Sequence, residues 1–299
     1  MTIDPTPKPY FGYAAVIGRP NVGKSTLINH LIGEKINITS RKPQTTRHQV
    51  LGIFSEPAGQ MILVDTPGIH KHERRTLNRF MNRAAWQALA GVNVVVWLLT
   101  AEGISEEDQR IGELIQQRNE QLPLVIAVNK IDQIDKPLLL PLLAQIQERY
   151  APEHIVPISA LKQLNLDRLQ QLLRQFMPIG APQFDTEQLT DRSLRFLAAE
   201  RIREKLTRQL GDELPHELAV QIESFTEDAT LARIHGLILV ERASQKSIVI
   251  GKGGERLKSV GSQARQELEQ LFDKKVMLEL WVKVKTGWTD DERSLTSLG

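Results

Sequence analysis

The sequence predicts an α/β protein, a mostly parallel sheet with helices on both faces, followed by a smaller α+β domain. Three observations carry this. Residues 1–177 alternate strand-length apolar runs with helix-length stretches, the pattern of a sheet buried on both sides. Residues 178–190, PIGAPQFDTEQLT, hold two prolines and a glycine and show no periodicity, so they read as a linker. From 191 onward strands and helices follow in another order and close on a cleanly alternating strand. The domains therefore fall at 1–177 and 191–299.

At 299 residues, two domains with separate cores are the natural expectation. The chain has no cysteine, which excludes disulfides, thiolate catalysis and Cys-ligated zinc and fits a reducing cytoplasm. No basic region precedes an apolar run at the N-terminus, so no secretory signal is expected. The longest apolar stretches, such as VNVVVWLL, are strand length, and a soluble intracellular protein is the expectation. Net charge is only +2, and from Asp191 onward 18 Lys/Arg face 18 Asp/Glu. The basic residues are nonetheless gathered: Arg242, Lys246, Lys252, Arg256 and Lys258 stand against the single acid Glu255 between 242 and 258.

In the first part, strands are expected at Tyr13–Gly18, Gln49–Ser55, Gln60–Asp65, Val92–Leu99, Leu124–Val128 and Ile155–Ile158. Helices are expected at 23–33, 73–90, 105–120, 138–150 and 165–176. In the second, Asp191 caps a helix to about Leu210 with Leu194, Leu197, Ile202 and Leu206 as its apolar stripe. Strands follow at 217–226 and 231–243, then a short strand Ser247–Ile250, a glycine loop and a helix Glu255–Phe272. In the last strand, Val276, Leu278, Leu280, Val282 and Val284 share one face. Trp281 and Trp288 read as packing residues rather than ligand platforms.

GRPNVGKS matches G-x-x-x-x-G-K-[ST] between an expected strand and helix. Such a loop wraps backbone N–H groups round a β-phosphate at a helix N-terminus. The loop and its exit comprise Gly18, Arg19, Pro20, Asn21, Val22, Gly23, Lys24, Ser25 and Thr26. Lys24 reaches β/γ oxygens and the Ser25 hydroxyl takes a Mg²⁺ position. DTPG follows another strand: Asp65 can hold Mg²⁺ and Gly68 can offer its N–H to a γ-phosphate, with Thr66, Pro67 and Ile69 beside them. In KPQTTRH (42–48), Thr46, with Thr45 the alternative, can complete the Mg²⁺ shell while a γ-phosphate is present. Lys24, Thr46 and Gly68 are thus the candidate catalytic group, and Ser25, Thr46 and Asp65 the candidate metal ligands. In NKID, the Asp132 carboxylate can accept from N1–H and the exocyclic amine of guanine. Adenine lacks both donors in that arrangement. Asn129, Lys130 and Ile131 brace the pocket, and Ser159–Ala160 can meet guanine O6 through the backbone. His70 and His72 read as solvated loop residues.

This ordered set (GRPNVGKS, QTTR, DTPG, NKID, SA) resembles the translation-factor-like class of GTPases, specifically its Era branch, over the first 177 residues. The resemblance implies a Ras-like GTPase sheet with one antiparallel strand and a K⁺ near Asn21 that assists hydrolysis. Ile69 stands where many GTPases carry a water-positioning glutamine, so slow turnover raised by a partner is expected.

IVIGKGGERLKSV (248–260) contains a second glycine loop. Its spacing, G-x-G-G, with no hydroxyl after a lysine, does not suit a nucleotide. Gly251, Lys252, Gly253 and Gly254 instead fit the G-x-x-G of a KH module, where glycines admit a single-stranded nucleic-acid backbone. Lys246, Lys252, Arg256 and Lys258 supply charge, Ile250 is a further RNA-binding candidate, and an apolar groove beside the loop sorts about four bases. The element order looks like the type II KH arrangement, and GTPase, linker and C-terminal KH together extend the Era resemblance over nearly the whole chain. DRSLRFLAAERIREKL and ELPHE resemble the helix and turn joining the two domains in that family. The resemblance implies GTP/GDP with Mg²⁺, binding near the 3′ end of small-subunit ribosomal RNA and a role in maturing that subunit. It also implies a cytoplasmic monomer with peripheral contact at the cell membrane. Three readings stay open: a GTP-driven RNA switch, an RNA-binding scaffold with incidental turnover, and a GTPase meeting anionic lipid.

Overall fold

The computed structural model describes residues 8–40, 45–69, 76–117, 122–210 and 218–288. Residues 42–44, His70, His72 and the ELPHE turn fall outside the described residues. The chain divides into two compact units, the first ending at Asp191 and the second beginning at Arg192; among the described residues, 38–40, Thr45 and 76–80 group with the second.

The first unit is a six-stranded sheet in the order β2-β3-β1-β4-β5-β6. Its strands are β1 (Tyr10–Ile17), β2 (Val50–Glu56), β3 (Gly59–Asp65), β4 (Val94–Thr100), β5 (Leu124–Asn129) and β6 (His154–Pro157). All pairs are parallel except β2–β3, as the resemblance implied. Strand β4, VVVWLLT, is buried throughout, and its residues alternate between two apolar layers. Val94, Val96 and Leu98 pack with Leu27 and Ile28 of α1 (Lys24–Ile32) and Leu169 and Leu173 of α5 (Leu166–Arg174). Val95, Trp97 and Leu99 pack with Ala85 of α2 (Thr76–Gln87), Ile111 of α3 (Glu106–Gln117) and Ile146 of α4 (Lys136–Tyr150). Burial on both faces is why the strands read as unbroken apolar runs.

Register places the chemistry. Val16 pairs with Asp65, Ile17 with Trp97, and Thr100 with Asn129. The residues that follow β1, β3 and β5 therefore emerge together at the carboxyl edge of the sheet, where the helices after β1 and β3 depart to opposite faces. Ligands of open α/β sheets bind at such a point.

Residues 178–190 are stitched to this unit. Gln60 donates to the Phe184 carbonyl at 3.0 Å and accepts from the Gln183 and Phe184 N–H groups at 3.1 Å each. The N–H groups of Phe11 and Ile53 donate to Pro178 and Leu189. Lack of periodicity marked irregular chain, but backbone hydrogen bonding ties it down.

The second unit has a three-stranded sheet, β7 (Leu218–Glu227), β8 (Leu231–Val240) and β9 (Lys275–Val284), in that order. β7–β8 is antiparallel and β8–β9 parallel. One face carries α6 (Leu194–Gln209) and α8 (Glu255–Phe272): Ile202, Leu206, Val260 and Ala264 pack on Val220, Ile238 and Val282. Trp288 is buried, and Trp281 sets its ring edge-on to His235 at 5.9 Å, so both pack against protein.

Two expectations are corrected here. Ser193, not Asp191, caps α6, accepting from the Phe196 N–H at 3.2 Å; Asp191 accepts from the Leu51 N–H instead. Ser247–Ile250 is not a strand but the end of helix α7 (Ala243–Ile250). An apolar run of three suits either state. The helix wins because Gln245 accepts the Arg242 N–H at 2.8 Å at its start, and Gln245 and Val249, four residues apart, are its buried positions. Gly251, with φ 77°, ends it.

Among the described residues no helix is long and apolar enough to cross a membrane. The β7–β8 turn is held by Asp228, whose carboxylate accepts from the Thr230 and Leu231 N–H groups at 2.9 Å each and from Arg233 at 3.2 Å. These bonds, the two backbone ones foremost, pull its pKa down to about 2. A depressed folded-state pKa contributes stability above the unfolded value near 4 that is lost as pH falls towards 2. Asp228→Ala is therefore expected to lower Tm by a few degrees at pH 7, the difference from the parent closing as pH drops through that window. Thermal melts of both proteins across pH 2–7 check it.

Candidate nucleotide and phosphate-backbone sites

The loop after β1 needs three positive-φ residues, Gly18 (149°), Asn21 (63°) and Gly23 (107°). A Cβ on Gly23 would stand 2.3 Å from Asn129 Nδ2, so only glycine fits there. The crowding has a purpose. Asn129 Nδ2 donates to the Val22 carbonyl at 2.7 Å, while its Oδ1 accepts from the Lys130 N–H at 2.8 Å and the Ala160 N–H at 2.9 Å. One carboxamide thus clamps the phosphate loop, NKID and Ser159–Ala160 into a single site. In this arrangement the Ala160 N–H, expected at a base oxygen, faces Asn129. Asp132 lies on a 3₁₀ turn, Ile131–Gln133, with its carboxylate exposed.

Lys24 opens α1 and is buried, its Nζ donating to the Gly18 and Arg19 carbonyls at 3.0 Å each. Burial pushes its pKa down to about 8, partly opposed by the nearby Asp65 charge. Ser25 Oγ lies 2.8 Å from Thr46 Oγ1 and donates to Asp65 Oδ2 at 2.9 Å. Asp65 is fully buried, which pushes its pKa up to about 6. Its Oδ1 makes no hydrogen bond.

A buried carboxylate oxygen without a donor is costly unless a cation faces it. The Ser25 hydroxyl sits on the other oxygen, Oδ2, with the Thr46 hydroxyl against it, and these three side chains supply hard oxygens of the kind Mg²⁺ takes. Thr46 occupies this position, and Thr45 has its carbonyl turned to Arg203 Nη2 in the second unit. Among the described residues no three His, Cys, Asp or Glu side chains gather into a metal site. A Mg²⁺ held by Ser25, Thr46 and Asp65 would take further oxygens from phosphate, as it does at phosphate loops generally.

Thr66 Oγ1 donates to the Val16 carbonyl at 2.8 Å, anchoring the turn after β3. A Cβ on Gly68 would come within 2.9 Å of Pro20, so DTPG passes close to the phosphate loop. Ile69 packs in the apolar layer with Ile17, Val64 and Ala85.

In the second unit, α7, the turn Lys252–Gly254 and α8 form a helix–loop–helix. Lys246, Lys252 and Lys258 are exposed, while Arg256 folds back to donate to the Ile248 carbonyl. Ile250 is half-buried beside them.

The sequence reading missed the buried charges of α6. Arg201, Arg203, Glu204 and Lys205 are all buried. Arg203 pairs with Glu200 at 2.6 Å, and Glu204 accepts from Arg208 and from the Thr39 N–H at 2.9 Å each. The i,i+3 and i,i+4 spacing of opposite charges in ERIREKLTR was the available signal.

Two family models match the chain, one described as 50S ribosome-binding GTPase over residues 13–130 and one as KH domain over residues 213–289. The GTPase Era of Ectopseudomonas mendocina is 54% identical over 289 residues, covering 96% of each chain. That of Pseudomonas aeruginosa is 53% identical over 96% of this chain and 94% of its own. The chain belongs to the Era family of GTPases. Among solved structures, Era in complex with MgGDPNP and nucleotides 1506–1542 of 16S ribosomal RNA matches with a TM-score of 0.93 and 39% identity, over 97% of this chain and 99% of its own. A variant of Aquifex aeolicus Era bound to GDP·AlF4⁻ matches equally. The Era fold, a Ras-like GTPase sheet followed by a KH domain, is the fold described above.

Proposed function

We propose that this Era-family GTPase binds GTP with Mg²⁺ in the Gly18–Ser25 loop and uses the bound nucleotide to set its grip on the single-stranded 3′ end of small-subunit ribosomal RNA during assembly of that subunit. The observation that carries the nucleotide half is the meeting of the Ser25 and Thr46 hydroxyls at Asp65, whose Oδ2 accepts from Ser25 and whose buried Oδ1 has no donor. Mg²⁺, when bound there, neutralises charge shared between phosphate oxygens. The protein's own groups do the rest. Loop N–H groups cradle the phosphates, Lys24 holds β/γ oxygens, Gly68 offers its N–H to the γ-phosphate, and Asp132 reads guanine. Asn21, exposed within the loop, contributes to a K⁺ position. No side chain at Ile69 orients water, because that residue is packed in the core, so turnover is slow without a partner.

The RNA half rests on the Lys252–Gly254 turn, exposed at Lys252 and Gly253, with Lys246 and Lys258 around it, and on the relative solved with 16S RNA. The switch reading is favoured over the scaffold by the course of the chain at Thr45–Thr46. Thr45 gives its carbonyl to Arg203 within the second unit, and the next residue, Thr46, lies on Ser25. A γ-phosphate that draws on Thr46 pulls directly on a loop that α6 holds. The family resemblance further supports a cytoplasmic monomer acting on the pre-ribosomal small subunit, with peripheral contact at the cell membrane.

The test is the affinity of a short RNA matching the small-subunit 3′ end, measured with GDP and with a non-hydrolysable GTP analogue at one salt concentration. A difference of about tenfold, roughly 1.4 kcal/mol of coupling, is expected. Equal binding in both states would favour the scaffold, and no binding would overturn the RNA half.

A further inference from the structure

Asp108, in the first turn of α3, belongs to none of the nucleotide motifs, yet it is fully buried. Its Oδ2 accepts from Arg19 Nε at 3.1 Å, from Ser105 Oγ at 2.7 Å and from the Ser105 N–H at 3.0 Å. Arg19 Nη2 donates in turn to Thr100 Oγ1, at the end of β4, at 3.0 Å. Arg19 is the second residue of the phosphate loop, and its carbonyl is one of the two that hold Lys24 Nζ. This residue is therefore gripped twice. Its guanidinium is fixed to α3 and β4, and its main chain is fixed to the lysine. The loop has three positive-φ residues within six positions, and a backbone of that kind keeps its shape only when its surroundings over-determine it.

We infer that Asp108 is a positioning residue of the phosphate loop: through Arg19 it sets the level of the Arg19 carbonyl and Lys24, and so the fit of the loop to the phosphates of the nucleotide. The inference rests on reading Gly18–Ser25 as the guanine-nucleotide site. A plain helix cap is the competing account, because the Asp108 N–H also donates to Ser105 Oγ at 3.2 Å, closing a capping pair. Asn in place of Asp keeps an acceptor for the cap and removes the charge that holds Arg19, so the two accounts separate.

The clamp acts on the loop in every nucleotide state, so its loss weakens ground state and transition state alike and raises KM with little change in kcat. In the full chain, release of mant-GDP from Asp108→Asn is expected to be about tenfold faster, with single-turnover hydrolysis of bound GTP within about twofold of the parent. Thr100→Val, nearly isosteric and so gentler on folding, removes the second hold on the guanidinium and is expected to speed release about threefold. The double variant is expected to release no faster than Asp108→Asn alone, because both changes loosen one clamp. Parent-like mant-GDP release from both single variants, with only Tm lowered, would leave Asp108 a helix cap and overturn the inference. So would additive effects. Failure of the unaltered chain to bind mant-GDP would instead overturn the nucleotide reading on which the inference depends.

Discussion

Lys24→Ala is expected to cut GTP turnover by about 10²–10³-fold, the scale of losing one preorganised charge or donor at a transition state, while leaving the nucleotide-free protein at least as stable as its parent. The two halves of this expectation have one cause. Lys24 is buried, its ammonium donates to two main-chain carbonyls, and burial drives its pKa down to about 8. A buried ammonium is a burden on the fold unless a matching anion faces it. Asp65 partly matches it but is itself buried and pushed up to about 6. The full match is the phosphate chain of the nucleotide. Removing the charge therefore relieves the free protein and disables the complex. Steady-state hydrolysis, titration with a non-hydrolysable GTP analogue and a thermal melt without nucleotide measure the three quantities. Near-parental turnover would refute the site. A fall in Tm without nucleotide would show that the lysine serves the fold instead.

Gly253→Asp with Gly254→Asp is expected to weaken RNA binding by at least about a hundredfold while the second unit stays folded. Phosphate contacts supply most of the affinity for nucleic acid, and two carboxylates placed on the loop oppose them at close range. The structure indicates why folding survives. A Cβ on either glycine meets nothing within 4 Å, and their φ values of 60° and 81° lie in the left-handed region that aspartate tolerates better than most residues. The conformational cost is about 1–2 kcal/mol per residue at most. Gly251 makes the contrast, since a Cβ there would stand 2.8 Å from the Arg256 Cβ. Replacing Gly251 would report on folding, whereas the 253/254 pair reports on the ligand. Fluorescence anisotropy with a labelled RNA, beside a melt of the same protein, separates the two. Unchanged RNA affinity would place the RNA surface elsewhere.

The parts of these sites that could be read in advance are those written in adjacent residues. The glycines of GRPNVGKS fall where the chain needs positive φ, and strand–loop–helix order could be inferred from apolar runs on either side. DTPG, NKID and Ser-Ala were found the same way, each following a strand that ends at the same edge of the sheet. Where the reading slipped, neighbours did not decide the matter. KSIVIG contains an apolar run of three, and only the buried spacing of Gln245 and Val249 makes it helical. The apolar stripe of the helix containing ERIREKL could be read in advance, but Arg203 and Glu204 are buried because residues Thr39 and Thr45 supply partners more than 150 positions away. Asn129 was read as a brace for the base, but that it also ties down Val22 required knowing that β5 and β1 end side by side.

The sequence alone determined the order of elements outside Ser247–Ile250 and the place of the two glycine loops. Those depend on backbone conformations and hydrophobic periods that span a few residues. Tertiary structure alone decided which polar side chains lie in the interior and which atom each one meets. Arg19 and Asp108 are 89 positions apart, and nothing local to either predicts that one will bury the charge of the other. Sheet register and helix packing bring them together, and burial then turns an ordinary arginine and an ordinary aspartate into a clamp, because a charge removed from water must be held by another.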